Sequence, residues 1–219
     1  MKSIYVGIFA LVMLVATGIV YAEKIADDTN DVWHWSKSNG TFKWASTSGE
    51  PNIDITEISY EIQGNKLIFK LKVKGTIENS DKAGYGIYYN TSEANYLVGY
   101  AQGTGTCFGI STDGTQVVGG NVTVTGNTLI GTIESIGLGT KIEFWGWAAK
   151  YSSTFGNTKE EWWGDWAPNS KAPTESNGED TGSSEDTEKD GKGTPGFEMA
   201  LLITAIALIV AFNRRNYYL

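Results

Sequence analysis

The chain has 219 residues, more acidic than basic side chains, a formal net charge of −8, one cysteine and one histidine. An acidic balance disfavours nucleic acid as a partner, because affinity for phosphate backbones comes mainly from lysine and arginine. Cys107 has no second cysteine to pair with, which excludes an internal disulfide framework, and we interpret it as a small apolar residue. The folded part must therefore be held together by its core.

The N-terminal segment has the pattern of an export signal. An apolar run over residues 4–20 follows Lys2 and is followed closely by Ala22. This order predicts a helical signal peptide over residues 1–22, cut after Ala22 by signal peptidase. The alternative is an uncleaved membrane helix, because the run approaches the ~17–25 residues that cross a bilayer. Either way, we expect the residues that follow to be exported.

Next comes a short acidic segment with several oxygen-bearing side chains. Asp27, Asp28 and Asp31, with Asn30 between them, offer the oxygen donors that a calcium ion prefers. Their spacing fits no EF-hand loop. Because a hard cation needs several oxygens, we expect Asp165, far along the chain, to be a further ligand. The alternative is an acidic, solvated N-terminus without a metal.

Residues 23–169 form the predicted domain, in which apolar and polar residues alternate and no helical period is found. The clearest unit is a hairpin around Gly64-Asn65 with one charged face, and a second turn is expected at Gly126-Asn127. Further strands are expected near residues 85–89, 96–100, 106–110 and 141–149. About eight or nine short strands predict an all-β fold, an antiparallel, jelly-roll-like β-sandwich.

Tryptophan clusters at both ends of this domain are the candidate ligand site. The spacing of two in Trp33/Trp35 and in Trp145/Trp147 places each pair on one face of a strand. Exposed rings could stack on the C–H faces of a sugar while a polar neighbour grips its hydroxyls. The residues predicted for this role are Trp35, Trp44, Trp162, Trp163 and Trp166, with Asp165 as the polar partner. The alternative is that the tryptophans are core residues.

Three features along the domain resemble the DOMON-like group of sandwiches: Asp31-Val32, Asp54-Ile55 and residues 165–168. That group includes family-nine carbohydrate-binding modules and extracytoplasmic haem-binding domains, so the resemblance implies a sandwich and one of these ligands. Haem commonly takes methionine and histidine ligands, whereas residues 23–169 contain no methionine and only His34. We therefore favour carbohydrate over haem. No catalytic set is recognisable, and an enzyme is not predicted.

The C-terminal part changes composition abruptly. Residues 170–194 are acidic and lack large apolar side chains, which predicts a disordered stalk. Over residues 195–219, Pro195-Gly196-Phe197 precedes an apolar helix and two arginines, which resembles the PGF-CTERM signal of archaeal surface proteins. The resemblance implies that an archaeosortase-like enzyme removes the tail and joins the chain to a membrane lipid. A plain transmembrane helix is the alternative, although 14 apolar residues span only about 21 Å.

Asn39, Asn90 and Asn121 begin N-glycosylation sequons, and we expect Asn90 to be the first of them to be modified. Together these features predict a protein at the cell surface, anchored to the cytoplasmic membrane with its domain outside. We expect it to be a ligand-binding module, with surface or environmental glycans as the favoured partner. A structural or adhesive envelope protein without a small-molecule ligand is the alternative.

Overall fold

The computed structural model describes residues 21–38 and 40–172. In this part of the chain the all-β prediction is confirmed, and the only helical element is a 3-10 turn at Asn169–Lys171. Residues 1–20 of the predicted signal helix, Asn39, the sorting motif and most of the stalk lie outside the described residues, whereas Tyr21 and Ala22 are described and belong to a strand, not to a helix. Within the described ranges, no helix is long and apolar enough to cross a membrane.

Thirteen strands are found in the described ranges, more than the sequence predicts. They are β1 (Tyr21–Ala26), β2 (Trp33–Ser38), β3 (Thr41–Ser46), β4 (Ile55–Gln63), β5 (Lys66–Val73), β6 (Ala83–Thr91), β7 (Ala94–Ala101), β8 (Thr104–Ser111), β9 (Val117–Gly119), β10 (Asn121–Thr125), β11 (Thr128–Glu134), β12 (Lys141–Tyr151) and β13 (Trp162–Ala167). They form a five-stranded sheet in the order β1-β4-β5-β11-β10 and an eight-stranded sheet in the order β3-β2-β13-β12-β6-β7-β8-β9. All neighbouring strands are antiparallel.

Both predicted turns are confirmed. Gly64 and Asn65 join β4 to β5 as a hairpin, and Gly126 and Asn127 join β10 to β11. Gly64 and Gly126 have positive φ values of 63° and 58°, a backbone conformation that suits glycine because it has no Cβ. On β5, buried residues alternate with half-buried ones, which gives the hairpin its inner and outer faces.

The two sheets pack face to face through a shared aromatic and aliphatic core. Tyr60 of β4 has its ring centroid 4.5 Å from that of Tyr89 on β6 and 4.9 Å from that of Phe144 on β12. Phe69 of β5 lies 6.3 Å from Tyr96 of β7 in the same way. Cys107 is buried in this core, and burial raises the pKa of its thiol to about 12, as suits the small apolar residue expected.

β1 is the edge strand of the five-stranded sheet, and it begins at Tyr21. Tyr21 pairs with Ile62 and Ala22 pairs with Glu61 on β4. The predicted cut after Ala22 would remove the first two of the six residues of β1. The remaining part would begin at Glu23, which still pairs with Tyr60.

Candidate functional site

The loop between β1 and β2 carries the chain from one sheet to the other. At its start the Asp27 N–H donates to the Thr56 carbonyl oxygen at 3.1 Å. In its middle Asn30 has a φ of 68°, in the left-handed region that asparagine tolerates better than most residues. The Asn30 N–H donates to Asp54 Oδ2 at 3.0 Å. These bonds fasten the loop to the five-stranded sheet and fix the direction of its acidic side chains.

Three carboxylates meet where this loop reaches the eight-stranded sheet. One oxygen from each of Asp27, Asp31 and Asp165 lies within 4.8 Å of the others. This confirms the expectation that Asp165 joins the N-terminal acids in space. Asp28, which was predicted as a ligand, is exposed at the surface and lies outside this group. We call Asp27, Asp31 and Asp165 the acidic cluster.

Asp165 is held firmly by the backbone around it. It has no exposed surface, and its two oxygens accept hydrogen bonds from the Ile55 N–H at 2.6 Å and from the Trp166 N–H at 2.9 Å. Asp31 is tied to the end of the domain, since its Oδ2 accepts a bond from Asn169 Nδ2 at 2.6 Å. The cluster thus joins an early loop, the start of β4 and the last strand.

Asp54 is a fourth acid beside the cluster, and sequence reasoning used it only for the fold resemblance. It is 2% exposed, and its Oδ2 lies 3.6 Å from Lys74 Nζ. Its Oδ1 is buried and has no hydrogen-bond partner, as is also true of one oxygen each of Asp27 and Asp31. A signal was present in the sequence, because an acid directly before an apolar strand is unusual at a buried position.

Burial and mutual repulsion make these acids hard to ionise. Burial raises the pKa of Asp165 to about 8, and the charges of Asp27 and Asp31 add to this effect. Burial, followed by the charge of Asp31, raises the pKa of Asp27 to about 7. Burial also raises the pKa of Asp54, although the Asn30 N–H and Lys74 oppose the shift. A bound cation would reverse the repulsion and favour the ionised acids.

The donor set fits a hard cation. The cluster offers only carboxylate oxygens, which suit calcium or magnesium better than the transition metals that prefer imidazole or thiolate. Calcium binds oxygens at about 2.3–2.6 Å, so two of its ligands lie at most about 5 Å apart. The 4.8 Å limit within the cluster is compatible with three ligands on one calcium ion.

A second apolar layer covers the outer face of the eight-stranded sheet, on the side opposite the core. We call it the aromatic face. Its buried members are Leu97, Trp147, Ala149, Tyr151, Trp162 and Trp166. Its half-buried members include Trp33, Trp35, Tyr88, Phe108, Trp145 and Phe155. The two pairs of tryptophans spaced by two residues, Trp33/Trp35 and Trp145/Trp147, lie on this face as predicted.

Glycines in the strands let several of these rings lie flat on the sheet. Trp147 lies over Gly86 and Phe155 lies over Gly84, where a Cβ atom would collide with the ring. Trp166 lies over Gly164 in the same way, with its Cη2 atom 2.6 Å from the position a Cβ would take. Tyr151 and Trp162 stack with their centroids 5.6 Å apart. The result is a broad aromatic surface.

The structure divides the predicted sugar-binding residues between several environments. Trp35 is half-buried on the aromatic face, whereas Trp162 and Trp166 are 6% and 2% exposed. Trp163 points to the other side of the sheet and stacks on His34 at 4.8 Å. The backbone of Trp44 lies opposite Trp35 in the register, and its side chain lies outside the described part of the chain.

Asp165 lies on the face of β13 opposite to Trp162 and Trp166 and contacts Ile55 of the other sheet. It belongs to the acidic cluster, and the structure does not bring it to the rings as their polar partner. The sequence placed Trp33 and Trp145 on strand faces but did not include them among the sugar-binding residues, and it missed Tyr88 and Phe108 altogether. Their positions depend on which face of each strand meets the other sheet, and alternation alone does not give this.

A polar rim borders the aromatic face at one end. Glu143, Asn90 and Asn95 lie side by side in the register of β12, β6 and β7. They are two residues away from Trp145, Tyr88 and Leu97 respectively, and so lie on the same face. Lys171 Nζ donates to Glu143 Oε1 at 2.6 Å, and the Asn90 Oδ1 is buried without a hydrogen-bond partner.

The sequons differ in accessibility. Asn121 is exposed at the start of β10, an edge strand of the five-stranded sheet. Asn90, which the sequence analysis favoured, is half-buried within β6. Glycan attachment requires a free amide nitrogen at the surface, so the folded domain offers Asn121 more readily than Asn90.

No protein-family model, no curated protein and no solved structure gives a significant match to this chain. The described residues form an all-β structure with two facing antiparallel sheets. Its two distinguishing sites are an acidic cluster on the sheet-crossing loop and an aromatic face on the larger sheet.

Proposed function

We propose that this chain is a cell-surface protein whose β-sandwich domain binds carbohydrate outside the cell through its aromatic face. The observation that carries this proposal is the half-buried set of Trp33, Trp35, Tyr88 and Trp145 on the outer side of a sheet. Sugar rings stack their C–H faces on tryptophan and tyrosine. Their hydroxyls need amide or carboxylate partners, which the polar rim supplies.

The shape of the aromatic face favours an extended ligand. Trp145 and Tyr88 lie side by side on neighbouring strands with their ring centroids 5.5 Å apart. Trp33 and Trp35 lie on β2, which β13 separates from β12 in the same sheet. Rings spread across a sheet can contact successive units of a polysaccharide. We therefore favour a glycan chain over a small enclosed ligand.

Anchoring outside the cell remains part of the proposal. The apolar run over residues 4–20 and the Pro195-Gly196-Phe197 motif support export and attachment to the membrane. The first residues of the proposed stalk belong to the domain, because Lys171 bonds to Glu143 and Ala172 packs against the aromatic face. The stalk proper would then begin after Ala172.

We also propose that the acidic cluster holds one calcium ion, with Asp27, Asp31 and Asp165 as its protein ligands. Bound calcium would supply positive charge that neutralises the buried carboxylates. The side chains hold it in a fixed place, because Asp165 is locked by two backbone N–H groups and Asp31 by Asn169. The ion would have a structural role, joining the sheet-crossing loop to β13.

A structural or adhesive envelope protein is the second candidate function. It is favoured by the deep burial of Trp147, Trp162 and Trp166, which are at most 6% exposed. Rings packed this tightly stabilise the sheet whether or not a ligand binds. In this alternative the half-buried rings contact another envelope protein, and no glycan binds.

A glycan-array experiment with the full chain separates the two candidates. Trp145→Ala removes a half-buried ring from the aromatic face, and we expect about tenfold weaker glycan binding, equal to about 1.4 kcal/mol. Ile142→Ala is the matched control on the same strand, since Ile142 is 64% exposed and outside the aromatic face. Equal binding by both variants, or no binding by the unmodified chain, would favour the structural alternative.

A further inference from the structure

The β2–β3 hairpin is attached to its sheet by a short pairing between β2 and β13, which we call the seam. β2 pairs with β13 through three residue pairs, which are Trp162 with Trp35, Trp163 with His34 and Gly164 with Trp33. By comparison, β12 pairs with the other side of β13 through six. β3 is the outermost strand and pairs only with β2 in the described structure. The sheet ladder alone therefore holds this hairpin weakly.

The acidic cluster lies at the base of this seam. Asp31 is two residues before Trp33, where β2 begins, and Asp165 is next to Gly164, the residue that pairs with Trp33. The loop also bonds to the chain just after β3, because the Val32 carbonyl oxygen accepts a bond from the Thr47 N–H at 2.6 Å at the open end of the hairpin. A change in the distance between Asp31 and Asp165 would thus move the hairpin against the sheet.

An independent observation points to a cation here. Asp54 is 98% buried, and its Oδ2 accepts the N–H of Asn30, which lies between Asp27 and Asp31, while its Oδ1 has no hydrogen-bond partner. Lys74 Nζ lies 3.6 Å from Asp54 Oδ2. When all four acids are ionised, this one lysine leaves an excess of negative charge, which a divalent cation would offset.

We propose that a calcium ion bound by Asp27, Asp31 and Asp165 fixes the β2–β3 hairpin on the edge of the eight-stranded sheet and so completes the glycan-binding part of the aromatic face. With the ion in place, attraction to a common charge holds the loop against β13. Without it, the carboxylates repel one another when they ionise, and the seam opens. Trp33 and Trp35 then leave their positions beside Trp162. The glycan part of this inference rests on the carbohydrate-binding function proposed above.

Hydrogen exchange on the full chain tests the hairpin without any glycan. We expect amides of β2 and β3 to exchange at least tenfold faster in EDTA than in millimolar calcium, while those of β6 and β7 are unchanged. The comparison is internal, because both regions belong to the same sheet. Uniform protection of the whole domain by calcium, or no protection, would overturn the inference.

Two variants assign the effect to the cluster. Asp31→Asn removes one charged ligand, and we expect it to abolish calcium binding in calorimetry and the protection of β2 and β3. Asp28→Asn makes the same charge change three residues earlier at an exposed position, and it should behave like the unmodified chain. If Asp28→Asn loses the effect as fully as Asp31→Asn, the assignment is wrong.

Glycan binding measured with and without calcium then distinguishes the two levels of the proposal. We expect EDTA to weaken binding at least tenfold and added calcium to restore it. If calcium protects the hairpin but no glycan binds in either condition, the carbohydrate function is wrong while the calcium-dependent hairpin stands. If a glycan binds equally in both conditions, the function stands and the dependence on calcium is refuted.

Discussion

The outer faces of the two sheets are built from different chemistry. On the five-stranded sheet the outer positions are charged, and Lys70 pairs with Glu61 at 2.9 Å while Lys24 pairs with Glu57 at 2.5 Å. On the eight-stranded sheet the outer positions carry tryptophan rings laid over glycines such as Gly86. The charged face shows that a sheet in this fold needs no second apolar layer. The aromatic face therefore has a use beyond closing the core.

A large loss of stability is expected when a glycine beneath the rings of the aromatic face is replaced. Gly86→Ala places a methyl group against the Trp147 ring, and we expect a loss of about 2 kcal/mol in the free energy of unfolding. Gly119→Ala is the control, because a Cβ there meets nothing within 4 Å and the backbone has no positive φ. Urea denaturation of both variants measures the difference. Equal stability would mean that Trp147 moves aside at no cost.

A second effect is expected from pH at the acidic cluster in EDTA. The folded-state pKa of Asp165 is about 8 and that of Asp27 about 7, both above the ordinary value of 3.8. Between about pH 4 and pH 8 the folded chain therefore binds more protons than the unfolded chain. The contribution of these two groups to stability should therefore be fully present below about pH 4 and decline as the pH rises to 8.

Neighbouring charges modify this pH effect. The charges of Asp31, Asp28 and Asp54 raise the pKa of Asp27, whereas Lys74 lowers that of Asp54. Saturating calcium should abolish the decline, because the bound ion favours the ionised acids. Thermal melts at pH 5 and pH 8, each with EDTA and with calcium, measure this. A decline of the same size in calcium and in EDTA would assign it to other groups.

Removing a half-buried ring should lower the free energy of unfolding less than placing a methyl group on Gly86 beneath the Trp147 ring. For Trp145→Ala we expect a loss of about 1 kcal/mol in unfolding free energy, since part of the side chain is already in water. Its larger consequence should be on glycan binding. If the variant instead unfolds at room temperature, Trp145 is a core residue and the aromatic face is structural.

The smallest effect is expected on the charged face. Glu61 accepts a hydrogen bond from Lys70, and this bond followed by the charge of Lys70 lowers the Glu61 pKa. Both side chains are about one-third exposed, so solvent screens the pair. For Lys70→Ala we expect a loss below about 0.5 kcal/mol, decreasing further in salt. A loss above about 1 kcal/mol would show that the charged face contributes as much as a ring.

Local patterns in the sequence predicted the parts of the fold that depend on neighbours along the chain. The β4–β5 hairpin and the Gly126-Asn127 turn follow from alternation around a glycine. β2 and β3 were not among the strands expected by position, although the spacing of two in Trp33/Trp35 already treated residues 33–35 as extended. Their place at the sheet edge depends on pairing with β13, which is more than a hundred residues away.

The candidate sites were predictable to different degrees. Asp165 was expected beside the N-terminal acids because a hard cation needs several ligands, and the structure brings it to Asp27 and Asp31. Asp54 was missed as a neighbour of the acidic cluster because a single buried acid has no repeating pattern. The aromatic face was only partly predicted. Alternation separates Trp162 from Trp163, but it does not say which of them faces the opposite sheet.

The position of β1 at a sheet edge gives signal removal a second effect. Before the predicted cut, Tyr21 and Ala22 extend this strand alongside Ile62 and Glu61. Afterwards the strand is two residues shorter, and it presents fewer backbone groups to which a foreign strand could add. Short edge strands are one way in which β proteins avoid aggregation. Maturation of the exported chain would therefore also protect it against pairing with its own copies.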